Sequence, residues 1–243
     1  MDILRVGDSL GMSVYGDDGT VPVTMDQCIY HTEAVRRAAT NTFVIGDMPF
    51  GSYQAGWKDA VKNAVRFHKE AAVDSVKLEG VTSVVDVIKA VTEAGMLVMG
   101  HIGLTPQSSS ALGGFKAQER AAEAAKDTIE DAWAVYEAGV WAILVEAVPP
   151  ELSRIIADEL PIPIYGIGAG DCDGQVMICT DISGLFQAFT PKFVKKCGNL
   201  GADLIKVFED YIADVREGAF PAEEHTYKMI DGELDKLERL RNK

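Results

Sequence analysis

Ile3-Leu4-Arg5-Val6-Gly7-Asp8-Ser9-Leu10-Gly11 decides the reading of this chain. An apolar run stops abruptly at an acid, a hydroxyl and two glycines. Such a run, bounded by turn signals, reads as a buried strand. The pattern recurs along the chain. Phe43-Val44-Ile45-Gly46-Asp47 ends in an acid, and Val76-Lys77-Leu78-Glu79-Gly80 in a base and an acid. Leu97-Val98-Met99-Gly100-His101 ends in a histidine, and Ile143-Leu144-Val145-Glu146 in an acid. In a parallel α/β sheet or barrel the strand C-termini share one face, and ligands bind there.

The bulk numbers fit that reading. With 243 residues, 47% of them hydrophobic, the chain can bury one large core. The formal net charge of −14 makes nucleic acid and anionic membrane surfaces poor partners. Cys28, Cys172, Cys179 and Cys197 form no C-x-x-C pair and read as reduced thiols of a cytoplasmic protein. The start, Met-Asp followed by a strand, has no leader pattern. No window approaches a membrane span.

The segments between the strands are helical. Thr24-x-x-Gln27 has capping-box spacing and opens a helix to about Ala39. Helices are also predicted from Trp57 to about Ala72, near Ser83–Ala94, over about Gln118–Ala138, and from Pro149 to about Leu160. A long loop is expected from Ile102 to Phe115. A strand at 162–167 runs into the glycine-rich Gly168–Gly174, and Gln175–Cys179 offers one more short strand. From Pro191 the pattern is helical, with breaks at Gly198 and Gly201, and Met229–Arg241 is a charged helix or tail. Strand–helix alternation implies a parallel sheet of seven strands. One barrel domain is expected over 1–228, with 229–243 as the tail.

Asp8, Asp47 and Glu79 would share one face. Carboxylates crowded together repel, and a hard divalent cation such as Mg²⁺ relieves them. The plain alternative for each is a helix cap or an ion pair. Lys77 lies on the same side of its strand as Glu79 and could bind a substrate carboxylate or pair with an acid. His101 is either a hydrogen-bonded core residue or a site residue. Glu146 sits in an apolar run that would raise its pKa and suit a general base, or it caps the helix after Pro149. His31, His68 and His225 receive no role. No G-x-S-x-G, H-E-x-x-H, P-loop or G-x-G-x-x-G motif occurs.

These stretches resemble the ketopantoate hydroxymethyltransferase family. The likeness is carried by 6–11, 22–24, 30–32, 34–37, 46–50, 76–80, Gly100-His101-Ile102-Gly103-Leu104-Thr105-Pro106-Gln107-Ser108, 113–116, 166–170, 173–175 and 191–193, in order. It runs from residue 2 to about His225. The resemblance implies a (β/α)₈ TIM-type barrel, usually a decamer. It implies transfer of a hydroxymethyl group from 5,10-methylenetetrahydrofolate to 3-methyl-2-oxobutanoate, giving 2-dehydropantoate on the way to pantothenate and coenzyme A. It implies that Asp8 and Asp47 ligate Mg²⁺, with Glu79 in or next to that shell. Ser9, Asp47, Lys77 and His101 would hold the 2-oxo acid, and Glu146 would be the base.

The sequence departs from the family pattern in three places. The family's first βα unit precedes the Val-Gly-Asp-Ser strand, with which this sequence starts, and that accounts for seven strands rather than eight. Val81 stands where a second glycine is usual, and Ala147 where cysteine is common. A non-catalytic 2-oxo-acid-binding relative is a second reading, favoured by the absent unit. A C–C lyase or mutase of the isocitrate lyase and phosphoenolpyruvate mutase type is a third. Against it stand the 100–107 run and the fact that Lys195-Lys196-Cys197-Gly198 continues into Asn199 rather than histidine.

Overall fold

The computed structural model describes residues 1–81, 83–108 and 121–242. Its strands are β1 (Ile3–Val6), β2 (Phe43–Asp47), β3 (Ser75–Glu79), β4 (Leu97–Gly103), β5 (Ala142–Glu146), β6 (Ile164–Ile167) and β7 (Gly174–Gln175). They form one seven-stranded sheet in sequential order, each parallel to its neighbour. The helices of more than one turn are α1 (Met25–Ala38), α2 (Trp57–Ala71), α3 (Val85–Glu93), α4 (Ala122–Glu137), α5 (Pro150–Glu159), α6 (Leu200–Glu217) and α7 (Glu233–Arg241). This is the (β/α) barrel plan with seven strands among the described residues.

Side-chain alternation sorts the strands into two faces. Val44, Val76, Leu78, Val98, Ile143, Val145 and Ile164 face outward into a core shared with Ile29, Phe67, Ile88, Val135 and Ile156 of the helices. The opposite parity carries Ile45, Met99, Ala142, Leu144 and Ile167 into a smaller inner cluster with Ile3, Phe43, Trp141 and Tyr165. Trp141 stacks edge-on against Phe43 and Tyr165 and donates its Nε1–H to Ser75 Oγ at 2.9 Å. Arg5, Asp47, Lys77, Glu79, His101 and Glu146 continue this inner parity toward the strand C-termini, which aims their side chains into one mouth.

Several boundaries differ from expectation. The Thr24 capping box is present, with Gln27 N–H donating to Thr24 Oγ1 at 3.3 Å and Thr24 N–H to Gln27 Oε1 at 2.8 Å. After β1 the chain first makes a π-helical turn, Gly11–Tyr15, closed by Gly16 in the left-handed region. β4 extends to Gly103, so the loop begins later than Ile102, and its remainder from 109 lies outside the described residues. The start of the helix expected at Gln118 lies outside them too. The last strand is only Gly174–Gln175.

The helix expected from Pro191 is overturned: 191–199 is irregular and α6 begins at Leu200, with Gly201 inside it. Phe193 explains this. Its ring packs on the inner cluster against Gly168, where an added Cβ would lie 2.6 Å from Phe193 Cδ1, and that packing outweighs local helical propensity.

Contacts divide the chain into two compact units, one of Met1–Cys179 with Thr190–Lys195, the other of Thr180–Phe189 with Lys196–Lys243. The boundary expected at 228 falls inside the second. All seven strands and α1–α5 lie within the first.

Close approach of α2 to β2 requires glycine at position 46. A Cβ there would lie 2.6 Å from the ring of fully buried Phe67. We expect Gly46→Ala to cost about 1–3 kcal/mol by overpacking, with Phe67→Leu recovering part of it. Equal melting temperatures for wild type and Gly46→Ala would show that the contact relaxes freely.

Candidate active site

Strand register builds the site. Asp47 lies beside Lys77, Glu79 beside His101, and Gly103 beside Glu146. Gly103 adopts φ +82°, and a Cβ there would lie 2.5 Å from the Glu146 carbonyl oxygen, so only glycine lets β4 and β5 run this close. Immediately after Glu146, Ala147 takes φ +53°, a left-handed conformation unusual for a residue with a side chain. It turns the chain away directly behind the candidate base.

Asp47 is fully buried. Its Oδ2 accepts from Arg5 Nη1 at 2.7 Å and from Asp8 N–H at 3.3 Å, and lies 3.5 Å from Lys77 Nζ. Its Oδ1 is buried with no hydrogen-bond partner. Asp8 Oδ2 accepts from Gln107 Nε2 at 2.8 Å. Burial, then the charge of Asp47, pushes the Asp8 carboxyl up to about 7, with Lys77 and Gln107 opposing. Ser9 follows in the turn. A Cβ on Gly7 would lie 3.1 Å from Ser9 Oγ and 3.2 Å from Asp47 Oδ2, so the two side chains share the space that Gly7 leaves.

Glu79 is held by protein donors at both oxygens. Oε1 accepts from Gln107 N–H at 2.7 Å, and Oε2 lies 3.4 Å from Lys77 Nζ and 3.1 Å from His101 Nδ1. Burial alone would raise its carboxyl, but Lys77, His101 and Gln107 outweigh burial and bring it down to about 2. Lys77 therefore takes the ion-pair reading between Asp47 and Glu79, and those acids, against burial, keep its ammonium above its ordinary value. His101 Nε2 lies 3.3 Å from Glu146 Oε2 without hydrogen-bond alignment. Burial and Lys77 lower the His101 imidazole, while Glu146 and Glu79 raise it more, so it lies above its ordinary value. The Glu146 side chain is 15% exposed and faces the mouth.

Three residues went unassigned in the sequence. Arg5 brings a guanidinium to the carboxylates, and its inward parity with Ile3 was the available signal. Gln107 and Tyr53 form a clamp: Tyr53 Oη–H donates to Gln107 Oε1 at 2.6 Å, while Gln107 Nε2 donates to Asp8 Oδ2 and to the Met48 carbonyl at 3.0 Å. With its oxygen taken by Tyr53, the amide can only present its N–H groups to Asp8. Nothing local in the sequence marks that contact.

The charged groups thus form two linked parts. Asp8 and Asp47 are paired hard-oxygen donors with an unpartnered oxygen between buried walls. Glu79, His101 and Glu146 form a carboxylate–imidazole–carboxylate line beside them. Among the described residues no three acids, histidines or cysteines cluster as a preformed metal cage. A two-carboxylate site suits Mg²⁺, which keeps waters and substrate oxygens as its other ligands. A cleft lined by His68, Asp74, Gly95 and Leu97 lies at the opposite ends of β3 and β4 and gathers no such set.

A parallel (β/α) barrel with an acid-rich site at its strand C-termini defines a barrel enzyme class, and solved structures agree on the fold. Phosphonopyruvate hydrolase, in complex with oxalate and Mg²⁺, superposes with a TM-score of 0.55 at 15% identity, covering 100% of this chain and 85% of that one. 2,3-Dimethylmalate lyase, a PEP mutase/isocitrate lyase superfamily member, gives 0.56 at 14%, covering 100% and 86%. Sequence comparison is sharper. The family model described as ketopantoate hydroxymethyltransferase matches residues 1–223. The 3-methyl-2-oxobutanoate hydroxymethyltransferase of Alkaliphilus metalliredigens (strain QYMF) is 57% identical over 99% of this chain and 85% of its own length. That of Desulfotalea psychrophila (strain LSv54 / DSM 12343) is 52% identical over 93% and 82%. The chain belongs to the ketopantoate hydroxymethyltransferase family.

The raised Asp8 carboxyl makes a linkage prediction. Between the ordinary 3.8 and about 7 the folded state binds the proton that the unfolded state has lost, so Asp8 costs stability as pH rises through that window. With divalent ions chelated, we expect Asp8→Asn to be more stable than wild type by roughly 1–3 kcal/mol near pH 8, with the gap closing toward pH 5. Denaturant melts at the two pH values read this directly. A variant less stable at pH 8 than at pH 5, relative to wild type, contradicts it.

Proposed function

We propose that this chain transfers a hydroxymethyl group from 5,10-methylenetetrahydrofolate to 3-methyl-2-oxobutanoate, giving 2-dehydropantoate. Family membership supports the reaction. The observation that carries the site assignment is the buried, unpartnered Oδ1 of Asp47 beside Asp8 at the strand ends. An orphaned buried acceptor of this kind is costly unless something binds it.

In this reading Asp8 and Asp47 hold one Mg²⁺. When bound, it supplies Lewis acidity to the keto and carboxylate oxygens of the 2-oxo acid. Glu79 acts from next to that shell, since its two oxygens already serve Gln107, Lys77 and His101. Lys77 offsets the charge of Asp47 and Glu79, and with Ser9 and His101 forms the wall against which the oxo acid lies. Glu146 takes the C3 proton, leaving the electron pair on the substrate enolate. Water opens the methylene bridge of 5,10-methylenetetrahydrofolate, tetrahydrofolate leaves, and the C3 electron pair attacks the formaldehyde-level carbon so released, whose oxygen takes the proton back from Glu146 to become the hydroxyl. His101, held through Nδ1 by Glu79, sets its Nε2 3.3 Å from Glu146 Oε2 and bounds that side of the carboxylate, and a base kept near its proton is effective.

The reading includes the cytoplasmic location and homo-oligomeric assembly expected of the family. Among the described residues no helix is long and apolar enough to cross a membrane. Exposed apolar side chains on α6, including Ile205, Phe208, Tyr211 and Val215, suit an assembly contact.

Glu146→Gln is expected to keep metal and oxo-acid binding while C3 deuterium exchange falls by about 10²-fold or more. Exchange at the wild-type rate would refute the base assignment. Asp47→Ala is expected to weaken Mg²⁺ and oxo-acid binding together in calorimetric titrations, and unchanged isotherms would remove Asp47 from the metal site.

A further inference from the structure

The two oxygens of Asp47 have unlike surroundings. Oδ2 collects the Arg5 guanidinium at 2.7 Å and the Asp8 N–H at 3.3 Å, with Lys77 Nζ at 3.5 Å, while Oδ1 is buried and bare. We infer that Arg5 is a positioning residue that occupies Oδ2 of Asp47, leaves Oδ1 as the oxygen Asp47 offers to a divalent cation, and limits how tightly that cation is held before substrate arrives. The inference rests on the metal reading proposed above.

Its geometry is built in. β1 pairs along its length with β2, so the Arg5 backbone is fixed beside Ile45, two residues before Asp47. Inward parity leaves the side chain no route to the outer, helix-covered face, and its length carries the guanidinium up to the carboxylate. Gly7 keeps the path open: a Cβ there would lie 3.5 Å from Arg5 Cζ and 3.2 Å from Asp47 Oδ2. Among the described residues Asp47 is the sole hydrogen-bond partner of the guanidinium, so the fork is anchored at one corner. A guanidinium stays charged in such a place, and unlike a metal it cannot leave.

Charge balance gives the anchor a consequence. Asp8, Asp47, Glu79 and Glu146 face the cations Arg5 and Lys77. His101, between Glu79 and Glu146, adds a further positive charge when protonated, with or without Arg5. Removing Arg5 therefore raises the negative surplus of this set by one charge. A divalent ion would then meet less repulsion and a freer Asp47, and would bind more tightly in the absence of substrate. A merely structural Arg5 would alter stability on removal and leave metal affinity where it was.

Mn²⁺ serves as the probe, followed by electron paramagnetic resonance in substrate-free protein near pH 8. Wild type is expected to bind one ion. Arg5→Leu is expected to bind it about tenfold or more tightly, while Arg5→Lys, which keeps the charge, stays within a few-fold of wild type. Should Arg5→Leu not fold, Arg5→Gln replaces it with the same expectation. Neutral variants with unchanged or weaker Mn²⁺ binding overturn the inference. A crystal structure of Mn²⁺-loaded wild type tests it without mutation: Mn²⁺ on Asp47 Oδ1 with Arg5 still on Oδ2 supports it, and Arg5 displaced by the ion from Oδ2 overturns it. Absence of any Mn²⁺ binding to wild type would instead remove the metal reading itself.

Discussion

A carboxylate with no exposed surface has to be matched by cations inside the protein. Asp47 is that carboxylate, and Arg5 and Lys77 are its partners. Desolvating an ion costs several kcal/mol, and only close, hydrogen-bonded countercharge offsets it. The site is arranged around meeting that need partway. One oxygen of Asp47 is satisfied and the other is left bare, so the protein carries an unfilled electrostatic demand at the mouth of its barrel.

The neighbouring acids divide in the same way. Glu79 is bound at both oxygens, and its carboxyl is held low by Lys77 and His101 despite burial. Asp8 has one amide donor and another acid beside it, and its carboxyl is held high. Two buried acids at the ends of the strands that flank β2 thus reach opposite protonation behaviour through their partners. One acts as a permanent anion that orders Lys77 and His101. The other, desolvated and crowded by Asp47, is held toward its protonated form. Environments that push like groups apart are a mark of functional sites.

The inner face of the barrel shows how the scaffold supports this division. Its lower part is aromatic and apolar, closed by Phe43, Trp141 and Tyr165. Its upper part carries every charged side chain of the strands that points inward. The dry floor strengthens electrostatic interactions above it, and the parallel backbone ladder holds the register on which they depend. Gln107 and Tyr53 then fasten the loop after β4 to Asp8, Met48 and Glu79.

Much of this could be read along the chain. Strand ends at Asp47, Glu79 and Glu146, the Thr24 cap and the order of strands and helices all follow from local patterns: apolar runs, turn residues and periodicity. The stretch at 191–199 was misjudged because Phe193 answers to the inner cluster and not to its own helical neighbours. Arg5 lies in the first apolar run of the chain, yet its meaning depends on a carboxylate 42 residues away, and Gln107 meets Asp8 across 99. Residue types and strand parity determined which chemistry would gather at one end of the barrel. Tertiary structure alone decided which oxygen of each acid is already taken, because a hydrogen bond is a matter of a few tenths of an ångström between segments that sequence does not place side by side.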